Sequence, residues 1–230
     1  MHQISAALRT PSRLAWPGTL ALGLLMAVSA APASPAQNAP SPARLTYTRT
    51  LPGSAPEYLA VRVNSDGLGT YEGRRLNEPS RPRPFRLSEA TTHQLFTLAA
   101  ELDHFRSLDL ESHKKVANLG RKTFTYESGG ERNQVQFNYT VHRPAQVLTD
   151  LFERIASVEQ HIEALQYGIK YDPLGLPEEL ARIQVDLENR SLLEPELMVP
   201  SLEEIASNPR FLHLAQVRAQ DILKTVTRDR

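Results

Sequence analysis

The densest grouping of side chains able to ligate a metal or move a proton is Asp103-His104…Asp109-x-Glu111-x-His113. Imidazole and carboxylate donors suit zinc or a similar ion, so Asp103, His104 and His113 are the candidates for a hydrolase or another metal-dependent site. A dedicated site more often places two ligands one helical turn apart or on paired strands. His104 and His113 stand nine residues apart across a polar stretch, and a solvated helix end with a polar loop is the simpler reading. His93, His142, His161 and His213 occur singly, as surface or hydrogen-bonded core histidines usually do.

Other chemistry leaves no trace in the motifs. There is no G-x-S-x-G elbow, no H-E-x-x-H, no P-loop and no G-x-G-x-x-G, and the absence of cysteine removes a thiol nucleophile. A non-catalytic protein without a cofactor is the expectation. The best binding candidate is a basic, proline-rich stretch: Arg74, Arg75, Arg81, Arg83 and Arg86 interleaved with Pro82, Pro84 and Phe85. Guanidinium forks bind carboxylate and phosphate with two hydrogen bonds, and prolines leave the segment little freedom to lose. An anionic cell-envelope component is the ligand this suggests. The competing readings are a solvated loop, or arginines paired with acids of the same chain, since exposed ion pairs are common and individually weak. Tyr47, Tyr58, Tyr71, Tyr126 and Tyr139 fall at strand positions and form a second candidate face, although strands favour aromatics for packing alone.

The elements that must position these residues centre on Lys122–Tyr139. Phe124 and Tyr126, then Val135, Phe137 and Tyr139, alternate with polar residues on either side of Ser128-Gly129-Gly130, the pattern of an antiparallel hairpin. Leu45–Thr50 and Tyr58–Asn64 predict two strands. Asp66-Gly67 supplies a tight turn, and Gly69–Arg74 predicts the returning third strand. Arg74–Arg86, with its prolines, predicts an irregular crossover. Ser88 is a good N-cap for a helix carrying Leu95, Leu98, Ala99 and Leu102. Pro144 opens the longest predicted helix, to about Tyr167, with Gly168 as its stop. Beyond it, Pro177–Asn189 and Pro209–Val226 carry apolar stripes, and Ser201-x-x-Glu204 has the form of a capping box.

The order β-β-β-α-β-β-α predicts an α+β fold: an antiparallel sheet of about five strands with helices on one face, followed by an all-helical C-terminal extension. The run Val63-Asn64-Ser65-Asp66-Gly67 leading to Thr70-Tyr71-Glu72-Gly73, then Phe85-Arg86-Leu87-Ser88 and Tyr126-Glu127-Ser128-Gly129-Gly130, resembles small exported bacterial domains without assigned activity, over residues 45–165. That resemblance implies a fold and carries over no function.

The first 36 residues have a different character. Arg9 and Arg13 without an acid, the apolar run Leu20–Val28, and small residues at Val28-Ser29-Ala30 and Ser34-Pro35-Ala36 form the pattern of a secretory signal peptide. The uninterrupted run is shorter than the ~20 residues a membrane span needs. Residues 37–43 predict a disordered leader, 44–168 the α+β module, and 169–230 a helical extension packed on it. Export to a bacterial periplasm or medium is expected, without a lipid anchor on cysteine, since the chain has none. Residues 44–143 hold 15 Lys+Arg and 11 Asp+Glu, a net of +4, and residues 144–230 hold 9 and 15, a net of −6. Neither value calls for nucleic acid as a partner; opposite signs suggest that the two halves face each other. The expected function is a binding or interaction module of the envelope, its partner an envelope protein or anionic component.

Overall fold

The computed structural model describes residues 42–228. The signal-peptide reading, and the leader up to residue 41, lie outside them. Six antiparallel strands form one sheet: β1 (Arg44–Thr50), β2 (Tyr58–Asn64), β3 (Leu68–Arg74), β4 (Arg83–Arg86), β5 (Arg121–Ser128) and β6 (Glu131–Phe137), ordered β4-β3-β2-β1-β5-β6. Among the described residues five α-helices accompany it: α1 (Glu89–Glu101), α2 (Arg143–Lys170), α3 (Leu176–Glu188), α4 (Val199–Ser207) and α5 (His213–Arg228). The fold is α+β, as the sequence predicts.

Side-chain alternation divides the sheet into two unlike faces. The register aligns Arg83, Tyr71, Val61, Tyr47, Phe124 and Val135 in one row across all six strands. All of these except Arg83 are buried, and they face the helices. The neighbouring row on the other face is Pro84, Thr70, Arg62, Thr46, Thr125 and Gln134. Such a split fits an antiparallel sheet with one packed and one polar face. The hairpin turns at Gly129 and Gly130, both at positive φ (58° and 89°), as a two-residue turn between right-twisted strands requires.

The sixth strand corrects the sequence reading. Arg83–Arg86 is not irregular crossover but β4, paired with Leu68–Tyr71. Its one proline, Pro84, is tolerated because the strand lies at the sheet edge, where a missing N–H leaves no neighbour unpaired.

The long helix α2 is shared by two apolar cores. Ala145, Leu148, Leu151, Phe152, Ile155 and Ala156 pack with the sheet and α1, and Phe152 stacks on Tyr47 with centroids 5.3 Å apart. Further along, Val158 and Leu165 join Leu176, Leu180, Ile183, Met198, Leu202, Ile205 and the buried stripe of α5. The helix does not stop at Gly168. It continues to Lys170, and a Cβ at Gly168 would lie 2.5 Å from Leu176 Cδ2. This glycine therefore serves close helix packing rather than termination. Ser88 caps α1 by accepting from the Thr91 N–H. Ser201, in contrast, is buried inside α4, which begins at Val199, so the capping-box reading fails. Likewise α5 begins at His213, and Pro209 belongs to the preceding turn.

Candidate functional site

The five arginines do not converge. Arg83, on the helix-facing side of the edge strand, donates from Nη2 to the Glu159 carboxylate at 2.9 Å and to the Glu159 carbonyl at 2.7 Å, and from Nη1 to Gln166 at 3.1 Å. It ties β4 to α2. Arg74 donates to the Glu72 carboxylate at 2.8 Å and lies over the Tyr58 ring at 4.5 Å, while Nη1 reaches the carbonyls of Arg75, Leu76 and Glu78. That side chain organises its own loop. Arg75 and Arg81 are exposed, and neither guanidinium makes an ion pair among the described residues. Arg86, donating to the Asp66 carbonyl at 3.2 Å, borders a concave surface.

The metal candidates are also separated. His113 pairs with Asp109 at 2.8 Å in an exposed turn, Asp103 is exposed, and His104 packs against Tyr126. Among the described residues no group of three or more His, Asp or Glu is gathered closely enough to hold a metal ion.

His104 and Arg86 meet, however, in one cleft of about 1300 Å³. Asp66 comes to it from the β2–β3 turn, Arg86 from the end of β4, Glu89, His93 and Phe96 from α1, and Tyr126 from β5. His93 and Phe96 are three residues apart on one helix and therefore neighbours on its surface. The His104 ring lies 4.2 Å from that of Tyr126, and Phe96 meets Tyr126 edge-on at 6.4 Å. All three rings are half-buried. The wall thus combines aromatic surface with a guanidinium, two imidazoles and two carboxylates.

Backbone geometry at His104 is unusual. Asp103, His104 and Phe105 have φ of 46°, 49° and 64°, a run of three non-glycine residues in the left-handed region. Such a conformation costs about 1–2 kcal/mol per residue, and strain of this kind concentrates at binding and switch sites. Phe105 holds the turn in place: it is 1% exposed and stacks on Phe124 at 5.2 Å. The result is that Phe105 enters the core while His104 lies on the cleft wall.

A second polar cluster is buried between α2 and α3. One His161 ring nitrogen lies 2.7 Å from Glu179, the other 2.9 Å from Asp186. Burial opposes charge on this imidazole, yet the hydrogen bonds to Glu179 and Asp186 outweigh it and raise the pKa above the ordinary histidine value. Nearby in sequence, burial pushes the Glu159 carboxyl up to about 7 against the pull of Arg83.

Sequence reasoning missed His93, Phe96, Asp66 and Glu89 as cleft residues and His161 as a buried ion-pair centre. The helical spacing of His93 and Phe96 is legible, but nothing in the chain says that the two face His104. No protein-family model matches the chain, and no curated protein is detectably similar to it.

Proposed function

We propose that the chain is an exported, non-catalytic binding module of a bacterial cell envelope, and that the cleft between α1, β5 and the end of β4 holds its ligand. The observation carrying this reading is the composition of the wall: the half-buried rings of His104, Tyr126 and Phe96 beside Arg86, His93, Asp66 and Glu89. Concave surfaces with aromatic lining and a few convergent polar groups are the usual form of small-ligand sites. Arg86 offers a fork to one carboxylate or phosphate. Asp66 and Glu89 would repel a polyanion and accept hydrogen bonds from hydroxyl groups. The ligand class that suits both is an acidic saccharide, with one anionic group and several hydroxyls on an apolar-faced ring.

Titration with a glucuronate-containing disaccharide and with its neutral glucose counterpart, followed by NMR, tests this. Shifts should concentrate at His93, Phe96, His104 and Tyr126, be stronger for the acidic sugar, and weaken in Arg86→Ala. Absence of binding to both sugars would overturn the reading. Export is tested separately: the mature protein should begin after Ala30 or Ala36, and recovery of Met1 with the cytoplasmic membrane would contradict it.

A further inference from the structure

We propose that the outer edge of β6 is a self-pairing surface, through which two copies of this chain join their sheets antiparallel across a two-fold axis at Gln134. This goes beyond the ligand reading and is independent of it. The two sheet edges are treated very differently. At one end β4 is four residues long and is flanked and interrupted by Pro82 and Pro84, which present no N–H to an incoming strand. At the other end β6 runs seven residues, Glu131–Phe137, with no proline, no lysine and no bulge in its pairing with β5.

Which groups of β6 face outward follows from the turn. A two-residue hairpin makes Ser128 and Glu131 a hydrogen-bonded pair, so Asn133, Val135 and Phe137 also turn their backbone groups inward to β5. Arg132, Gln134 and Gln136 then turn theirs outward. Among the described residues none of these three backbone N–H groups has a partner outside the sheet. The next group of the same parity, the Asn138 N–H, is covered: it donates to Glu111 at 2.7 Å. Among the described residues this edge is closed at Asn138 and open across the strand before it.

The open set is symmetric about Gln134, which commits it to a second copy. With the axis there, Arg132 stands opposite Gln136 of the partner strand, Gln134 opposite its counterpart, and Glu131 opposite Phe137. Every outward group is then paired, and no like charges are opposed, which would be unfavourable. Centring the axis on Arg132 would instead oppose two guanidinium groups. Because the proline-bearing edge cannot accept a strand, the pairing closes at a dimer rather than continuing as a fibre.

Sedimentation equilibrium on the purified chain tests this. A strand edge is a small interface, so a reversible dimer should appear at concentrations on the order of 0.1 mM, with the Gln134 and Gln136 amides more protected from hydrogen exchange than in dilute protein. Gln134→Pro should give a monomer with an unchanged circular dichroism spectrum. Gln134→Lys, which opposes two ammonium groups across the axis, should weaken association about fivefold without affecting folding even if the proline variant misfolds. A chain that stays monomeric throughout, or a dimer indifferent to both substitutions, would overturn the proposal. So would edge amides that become protected only when another protein is added.

Discussion

His161 Nδ1 lies 2.7 Å from a Glu179 carboxylate oxygen, and this contact joins the long helix to the first helix of the C-terminal extension. With Asp186 at 2.9 Å from Nε2, both ring nitrogens face acceptors, and only the imidazolium can donate to both. Arg182, 3.4 Å from Glu179, and the Ser191 hydroxyl, 3.1 Å from Asp186, complete the polar surroundings.

Stability should therefore fall as the pH rises. The folded pKa of His161 is raised, so its contribution is fully present below the unfolded value near 6.5 and is lost as pH climbs through the folded value. Glu159 acts in the same direction: its folded pKa of about 7 exceeds 4.5, so the fold favours its protonated form. It begins to cost stability above pH ~4.5 and reaches its full penalty, about 3 kcal/mol, above pH ~7. Calorimetric melting should give a clearly lower Tm at pH 8.5 than at pH 5.5. His161→Gln together with Glu159→Gln should flatten that slope; an unchanged slope in the double variant would refute the assignment.

The arginines should separate by role. Arg83→Ala leaves the 3% exposed Glu159 without its cation. Removing one partner of a buried pair costs about 3–5 kcal/mol when the other is charged; because Arg83 is itself a quarter exposed, a loss of about 2 kcal/mol is expected in urea unfolding above pH ~7, where Glu159 is ionised. Arg75→Ala, at an exposed position with no ion pair among the described residues, should stay within ~0.5 kcal/mol. Equal effects of the two would mean that the β4–α2 tie does not hold the edge strand.

Phe124 lies within 5.2–6.2 Å, centroid to centroid, of Tyr47, Phe105, Phe137 and Phe152. Phe124→Ala should cost ~3–5 kcal/mol and also release Phe105, which stacks on it. The His104 resonance should then move toward its solvent position before global unfolding. A cleft unaffected by this substitution would show that the left-handed turn is held by something else.

Truncation after Lys170 should expose Val158 and Leu165, which α3, α4 and α5 cover. Helices this short are marginal alone and depend on packing. A lower Tm and concentration-dependent association are expected, measured by calorimetry and light scattering. Added salt should matter much less for the intact protein, because the contact is mainly apolar and salt screens only the charges. A truncated chain that remains monomeric and melts unchanged would contradict this packing.

Much of the fold is local and so could be read from the chain. Alternation in Phe124–Tyr126 and Val135–Phe137 needs only a pleated strand. The Gly129-Gly130 turn needs only backbone freedom at positive φ, and the Ser88 cap needs only its own helix. These features depend only on neighbours within a few residues of the chain. Whatever depended on distant neighbours was decided by the tertiary structure. Arg83–Arg86 becomes a strand because Leu68–Tyr71 offers an edge, and the helix runs past Gly168 because Leu176 packs where a Cβ would stand. The fate of each arginine was undetermined for the same reason, since a guanidinium is spent or free according to whether a Glu159 lies opposite. The cleft joins Arg86, His93, His104 and Tyr126 from four separate elements, and no periodicity in one chain encodes a meeting of that kind.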